Sequence, residues 1–329
     1  MVDEYPMPTL TFPFPTVISP FETDESYHDE ALWYDEYYGF LPEEDRNKLK
    51  KHALPQGAAF MSPTENDATR LRPMGRWFMF LTLIDDRCEF HSMSDLVSVR
   101  DRVCDIILGE VPRRDEIGFL HMLGRMRVEF QEFMPYLWFE RLANSFYEYW
   151  TYGVMEESPY KLGHKRGVPP LAPYLLVHEY SIAMRPYGDL VDVTTRAPLS
   201  VGTFRHSVIS RLRSLICRLM SIQNDLYSLG KEEARPSEVF NIVPVLRNEL
   251  DCSRSEAIDE AMRMLDGFAD EIVALRNNVP DFGDEQQAVQ DYFHHMELMV
   301  TGLDRWYTSS KSIRYKVPGA FPEPMPSDP

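Results

Sequence analysis

The chain has 329 residues, of which 44% are hydrophobic and 12% aromatic, enough apolar material for one large core or two modest ones. Its 52 acidic residues outnumber its 34 basic residues, which gives a net charge of −18 and an isoelectric point near 4.9. This excess of negative charge argues against a nucleic-acid backbone or an anionic membrane surface as a partner, although a local basic site for phosphate is compatible with it.

Cysteines and apolar runs give no sign of a zinc site, a disulfide framework or a membrane span. Cys88, Cys104, Cys217 and Cys252 form no CxxC pair. The sequence lacks a run of about eighteen uncharged apolar residues, and residues 1–6 lack the basic start of a secretory signal. We expect a cytoplasmic protein with no membrane insertion and no nucleic-acid partner. The sequence leaves monomer and homodimer both open.

Helical periodicity dominates the chain and predicts an all-α fold, a single antiparallel helical bundle. Prolines make residues 1–20 an extended N-terminal strap and residues 318–329 a Pro-rich C-terminal tail, because proline fixes φ and disfavours helix at the preceding residue. We place one helical domain between them, over residues 21–317.

Nine segments with the 3.6-residue period of half-buried helices are predicted within that domain. In chain order they are 24–38, 42–53, 67–90, 93–109, 114–156, 171–195, 204–234, 253–278 and 285–315. Proline positions predict the breaks between the longer helices. These breaks lie at Pro112, between Pro159 and Pro173, at Ala197-Pro198 and at Pro280.

The first cluster of polar residues, Asp85-Asp86-Arg87-Cys88-Glu89, closes the predicted 67–90 helix. Asp85 and Glu89 are four residues apart and therefore share a face. Apolar residues run up to the aspartates, so the carboxylates follow a buried stretch and need partners there. Carboxylate oxygens are ligands that Mg²⁺ prefers.

The second cluster, residues 224–232, lies on the predicted 204–234 helix. Asn224, Ser228 and Glu232 recur every four residues and form one stripe. An amide, a hydroxyl and one carboxylate could hold a cation and leave its remaining positions for phosphate oxygens. Together the two clusters predict a magnesium site that binds a diphosphate.

At these two clusters the sequence resembles the class I terpene synthases of microbial type. Asp85-Asp86-x-x-Glu89 looks like a variant of the aspartate-rich motif of that family, and Asn224-Asp225-x-x-Ser228-x-x-Lys231-Glu232 matches its NSE pattern. Arg314-Tyr315 matches its arginine-tyrosine pair. The order and separation of the motifs agree with the family from about residue 12 to residue 316.

The resemblance implies the class I terpenoid synthase fold around a central apolar cavity, with Mg²⁺ as the cofactor. Three ions are expected, with Mn²⁺ as a substitute. Asp85 and Glu89 would bind two of the ions, and Asn224, Ser228 and Glu232 would bind the third.

The resemblance also assigns residues to the diphosphate and to supporting positions. Lys231, Arg314, Tyr315 and Arg185 would contact the diphosphate. Arg185 is the nearest arginine where the family places a diphosphate-sensing arginine, although alignment on Gly188 puts Met184 at that position. Asp86 would pair with Arg314. Asp225 points about 100° away from Asn224 on a helix, which favours a structural or supporting role.

The reaction implied is ionisation of a linear isoprenoid diphosphate and cyclisation of the carbocation, with release of diphosphate. Farnesyl diphosphate, giving a sesquiterpene, is our first expectation, and geranylgeranyl diphosphate, giving a diterpene, is the second. Helical spacing from the motifs suggests cavity walls, although plain core packing explains each of them about as well. These candidates are Phe78, Leu81, Thr82, Met220 and Trp306.

Several other functions are compatible with parts of the pattern. A prenyl diphosphate synthase or prenyltransferase of the same fold needs a second aspartate-rich motif, and a protonation-driven cyclase needs Asp-x-Asp-Asp; the sequence has neither. A di-iron bundle needs two Glu-x-x-His motifs, and residues 25–28 provide one. A non-catalytic helical binding protein would leave both ligand stripes unexplained.

Overall fold

The computed structural model describes residues 9–23, 30–88, 91–161, 167–233, 239–309 and 313–315. Most of these residues are helical and no strand occurs within these ranges, so the all-α prediction is confirmed. The first eight α-helices are α1 (Glu30–Tyr37), α2 (Glu43–Lys50), α3 (Gly57–Met61), α4 (Ala68–Cys88), α5 (Met93–Leu108), α6 (Gly118–Gln131), α7 (Tyr136–Glu148) and α8 (Met155–Glu157).

The remaining α-helices build the second half of the bundle. They are α9 (Leu171–Ser181), α10 (Met184–Gly188), α11 (Val191–Thr195), α12 (Val201–Phe204), α13 (Ser207–Glu233), α14 (Ile242–Leu250), α15 (Arg254–Asn277) and α16 (Gln286–Thr308). A π-helix at Tyr149–Val154 joins α7 to α8, and short 3₁₀ turns occur at Pro20–Glu22, Ser158–Tyr160 and Gly283–Glu285.

Two of the predicted long helices are interrupted in the structure. The 114–156 segment breaks after Gln131 and resumes at Tyr136, because Pro135 takes an extended conformation and has no N–H to donate. The 171–195 segment breaks at Ala183, whose φ of 62° is left-handed and ends the regular hydrogen bonding of α9. The structure also adds three helices that the sequence did not predict, α3, α14 and the one-turn α12, which overlaps a predicted segment only at Phe204.

Helices α4 and α13 are largely buried in the bundle. Every residue of α4 from Pro73 to Leu81 is buried, and α13 carries buried residues on successive turns from Ile209 to Leu229. A helix that is apolar on all sides is surrounded by other elements. Helix α13 is in contact with α9, α10, α14, α15 and α16. The two helices that carry the motifs are therefore held in place by the elements packed around them.

Residues 9–19 pack against α16. Leu10 and Phe14 are buried. Thr301 donates its hydroxyl to the carbonyl of Pro15 at 2.8 Å, and Arg305 donates to the carbonyl of Val17 at 3.0 Å. These contacts hold residues 9–19 along α16, while the division into strap, domain and tail stays a prediction. No described helix is long and apolar enough to cross a membrane.

A close contact between α3 and α16 requires a glycine. A Cβ atom added at Gly302 would lie 2.0 Å from the backbone oxygen of Phe60. Gly267, in the exposed face of α15, has no atom within 4 Å of such a Cβ. The two glycines share a helical backbone conformation and differ in the space available for a Cβ atom.

We predict opposite effects of alanine at these two glycines. Gly302→Ala should lower the free energy of unfolding by about 1–3 kcal/mol, because overpacking forces the α3 backbone away. Gly267→Ala should raise it by about 0.5–1 kcal/mol, because alanine loses less entropy in a helix than glycine does. Urea denaturation of both variants measures this, and equal stability would contradict the described packing of α3 on α16.

Candidate active site

A cavity of about 200 Å³ opens where α4 and α13 carry the two polar clusters. Phe78, Leu81 and Thr82 line it on α4, and Asp85 follows on the same helix. Phe78 lies seven residues before Asp85, about 10 Å along a helix axis, so the α4 wall changes from apolar to acidic toward its C-terminal end. Further apolar walls are supplied by Tyr38, Leu41, Phe119, Met184, Phe240 and Leu303.

The cavity brings together the oxygen donors that the sequence assigns to metal. Asp85 lies on α4, and Asn224, Ser228 and Glu232 lie on α13, and all four line the cavity. Glu232 accepts a hydrogen bond from the Asn241 side chain at 2.7 Å. Glu89 lies outside the described residues.

The chemistry of this donor set fits a hard divalent cation. Two carboxylates, an amide oxygen and a hydroxyl are the oxygen ligands that Mg²⁺ accepts, and Mg²⁺ commonly completes its shell with water and substrate phosphate oxygens. Among the described residues, no group of three or more His, Cys, Asp or Glu side chains could hold a metal by itself. A metal here would therefore depend on amide, hydroxyl and ligand oxygens as well as on carboxylates.

Asp86 and Arg314 join α4 to the segment after α16. The Arg314 guanidinium donates to both Asp86 carboxylate oxygens, at 2.7 and 2.9 Å. Burial raises the pKa of Asp86, but Arg314 outweighs this effect and holds it at about 2. Burial lowers the pKa of Arg314, and Asp86 raises it above its usual value. Both groups are therefore charged at neutral pH, and the pair is a fixed part of the cavity wall.

Two tyrosines orient the amide of Asn224. Its Nδ2 donates to the hydroxyl of Tyr307 at 2.7 Å and to that of Tyr315 at 3.3 Å. Because the nitrogen is occupied by these hydroxyls, the amide oxygen is the atom left for a cation. The sequence indicated Tyr315 but not Tyr307, whose ring packs 5.1 Å from that of Tyr315.

Asp225 connects α13 to two neighbouring helices. Its buried carboxylate accepts from the Tyr174 hydroxyl, from His178 Nε2 at 3.0 Å and from the backbone N–H of Ile242 at 2.6 Å. Burial lowers the pKa of His178, but Asp225 raises it to a net value above normal. The side chain therefore anchors α9 and α14 to α13, and Asn224 is held on a braced helix.

Arg185 does not reach the cavity. Its guanidinium donates to Glu179 at 2.5 Å, lies 3.6 Å from Glu148 and stacks over the Tyr180 ring at 4.4 Å. Met184 lines the cavity instead. Arg185 was chosen as the arginine nearest to the position where the family places its sensor, and alignment on Gly188 had put Met184 at that position. The left-handed Ala183 ends α9 just before these two residues.

Two predicted wall residues also lie in the packed core and not among the residues that line the cavity. Met220 is completely buried within α13. Trp306 lies behind the wall, with its ring centroid 5.4 Å from that of Phe78 and 6.3 Å from that of Tyr315. Trp306 was chosen by helical register with Arg314, but α16 ends at Thr308 and the register does not continue.

Four polar residues of the cavity wall were not predicted from the sequence. Tyr149 belongs to the π-helix and places its hydroxyl 3.5 Å from Asp85. Glu157, Lys161 and His178 line the cavity between the π-helix and α9. A four-residue spacing of Glu157 and Lys161 was visible, but such pairs are common on solvated helix faces. Their role depends on tertiary contacts that no local motif shows.

Comparison with known proteins identifies a family and a fold. The family model described as "Terpene synthase family 2, C-terminal metal binding" matches residues 76–271. A (+)-eremophilene synthase of Sorangium cellulosum is 26% identical over 264 residues, 79% of this chain and 78% of that protein. A (+)-T-muurolol synthase of Roseiflexus castenholzii, named as cyclising (2E,6E)-farnesyl diphosphate, is 24% identical over 279 residues, 83% of this chain and 82% of that protein.

A solved structure extends the similarity to the whole bundle. The crystal structure of a-eudesmol synthase superimposes with a TM-score of 0.79 and 21% sequence identity, and the match covers 92% of this chain and 99% of that chain. This likeness shows the fold. The expected class I terpenoid synthase fold is thereby confirmed, and the resemblance that rested on three short motifs extends over most of the chain.

Proposed function

This chain belongs to the terpene synthase family and is a class I terpene cyclase, a carbon–oxygen lyase acting on phosphates, and we propose that its substrate is farnesyl diphosphate. The product would then be a cyclic sesquiterpene, released together with diphosphate. Similarity to relatives named for sesquiterpene products and for farnesyl diphosphate supports this substrate. The domain that matches the family model is described as metal-binding, so the enzyme uses a divalent metal.

One observation carries the site assignment: donors from two separate helices line the same cavity. Asp85 on α4 and the stripe formed by Asn224, Ser228 and Glu232 on α13 would hold Mg²⁺, with three ions expected and Mn²⁺ as a substitute. When bound, Mg²⁺ supplies Lewis-acid stabilisation of the departing diphosphate. The resemblance also assigns Glu89 to this set.

Cationic and hydroxyl donors of the chain would hold the diphosphate. Lys231, Arg314 and Tyr315 line the same cavity as the proposed metal ligands. Hydrogen bonds from charged donors to phosphate oxygens are roughly twice as strong as neutral ones. Arg314 is already positioned by Asp86, so its guanidinium loses little freedom on binding. These residues would keep the leaving group in place while the carbocation rearranges.

The apolar part of the cavity would protect that carbocation. Phe78, Phe119 and Phe240 present rings to the cavity, and each ring face near a cation contributes about 0.5–2 kcal/mol. The Thr82 hydroxyl donates to the Phe78 carbonyl at 2.9 Å, so its proton is already committed within α4. A wall of this kind offers few groups that could quench the cation before it cyclises.

Incubation with geranyl, farnesyl and geranylgeranyl diphosphates in the presence of Mg²⁺ tests the substrate. We expect cyclic fifteen-carbon products from farnesyl diphosphate, identified by gas chromatography and mass spectrometry, and little product from the other two. Chelation of the metal should abolish turnover, and Mn²⁺ should restore part of it. Elongated prenyl diphosphates instead of cyclic hydrocarbons would show that the enzyme is a prenyltransferase.

Removing a proposed metal ligand should abolish cyclisation. Asp85→Asn and Asn224→Ala should each lower kcat/KM by at least about a hundredfold, the effect usual for a lost group that stabilises developing charge. Asp105→Asn, on the exposed face of α5, removes the same charge without touching the cavity and should leave turnover unchanged. Activity of the Asp85 or Asn224 variant equal to that of Asp105→Asn would refute the ligand assignment.

A further inference from the structure

An ion pair that no sequence motif marks lies in the wall of the cavity. Glu157 and Lys161 both line it, with Lys161 Nζ 2.6 Å from Glu157 Oε1. The two side chains are 10% and 18% exposed. Removing an ion pair from water costs desolvation free energy, and the attraction between the two charges often does not offset this cost. A pair of this kind in a substrate cavity therefore calls for a functional explanation.

The pair lies between the two helices that carry the proposed metal ligands. On one side, the Tyr149 hydroxyl lies 3.5 Å from Asp85 on α4, and Tyr149 is close enough to Glu157 to interact with its charge. On the other side, Glu157 is near His178, which contacts Asp225 on α13. Lys161 therefore brings a positive charge to the same cavity that the proposed metal ligands of both helices line.

Three other positively charged or ionisable groups that line the described part of the cavity have contacts that constrain them, and Lys231 on α13 is already assigned to the diphosphate. Arg314 donates hydrogen bonds to Asp86 from both terminal nitrogens of its guanidinium. The Arg87 guanidinium lies over the Phe40 ring at 4.8 Å, and both nitrogens of His178 have partners, Asp225 and Ser181. Arg185, the arginine expected to bind diphosphate in this region, is directed to Glu179.

Lysine chemistry suits a group that changes partners. Its ammonium has three donors on a flexible stem, so it can keep one bond to a carboxylate and offer others to phosphate. Although burial raises the pKa of Glu157, Lys161 and His178 lower it below its usual value, so Glu157 is ionised and holds the ammonium. Arg185 lies outside the cavity, so its guanidinium does not face a ligand bound there.

We propose that Lys161 is a further diphosphate-binding residue of this enzyme, that it replaces Arg185 in this role, and that Glu157 holds its ammonium in the cavity until the substrate arrives. The proposal rests on the function proposed above, since it assumes a diphosphate between α4 and α13. It adds a contact from the segment after α8, which carries none of the three motifs.

Calorimetric titration of inorganic diphosphate into the full-length chain at saturating Mg²⁺ tests the proposal without depending on turnover. Lys161→Met should weaken binding by about tenfold to a hundredfold, the usual effect of losing a charge-assisted hydrogen bond. The KM for farnesyl diphosphate should rise as well. Lys50→Met is the matched control, because Lys50 is 22% exposed and lies 2.8 Å from Asp35 outside the cavity. Its binding of diphosphate should equal that of the wild type.

A double variant separates a ligand role from a structural one. Lys161→Met leaves Glu157 buried without its cation, which could disturb the wall by itself. In Glu157→Gln/Lys161→Met the unpaired charge is gone, so a ligand role predicts that binding stays weak and a structural role predicts that it recovers. Lys161→Gln provides a polar alternative if the methionine variants fold poorly, as judged by circular dichroism.

Recovery of wild-type affinity in the double variant, or unchanged affinity in Lys161→Met and Lys161→Gln, would overturn the assignment of Lys161 alone. If the wild type binds no diphosphate in the presence of Mg²⁺, the proposed function fails and this inference fails with it. Weak binding in every Lys161 variant, with normal binding in Lys50→Met, is the result that supports the proposal.

Discussion

The structure depends on the balance of charge around one group of oxygen donors in an otherwise apolar cavity. Asp85 and Glu232 present carboxylates to a space from which water is partly excluded, where unpaired negative charge is costly. Positively charged or ionisable groups lie beside acids in the same wall: Arg314 beside Asp86, Lys161 beside Glu157, and His178 beside Asp225. Each of these groups therefore offsets an acid close to the oxygens proposed to bind the cation and its anionic ligand.

That arrangement requires rigid supports. Helices α4 and α13 are buried on nearly all sides, and Asp225 ties α13 to α9 and α14 through a tyrosine, a histidine and a backbone N–H. Tyr307 and Tyr315 fix the amide of Asn224 from the far end of the chain. A metal site built in this way needs little reorganisation when the substrate arrives. Its groups are already aimed at the charge that develops on the leaving group, so they stabilise the transition state more than the bound substrate.

The sequence was sufficient to predict the helices whose bounds follow from local hydrophobic periodicity. The long helices α4, α5, α13 and α15 agree with their predicted bounds within a few residues, because a 3.6-residue apolar stripe is a local property. The sequence was less informative where the helical phase is lost. Ala183 turns left-handed just before Met184 and Arg185, of which Met184 lines the cavity and Arg185 contacts Glu179. The end of α16 at Thr308 removes the register that had linked Trp306 to Arg314. Glu157 and Lys161 acquire their position only through the packing of the π-helix on α9, which no short pattern encodes.

A crystal structure of the full-length chain soaked with Mn²⁺ and diphosphate, with the metal located by its anomalous scattering, tests the central claim most directly. The account predicts metal peaks inside the cavity, coordinated by Asp85 on one side and by Asn224, Ser228 and Glu232 on the other, with the diphosphate bridging them. Metal bound at surface carboxylates alone, or at one of the two helices without a bridging diphosphate, would contradict it.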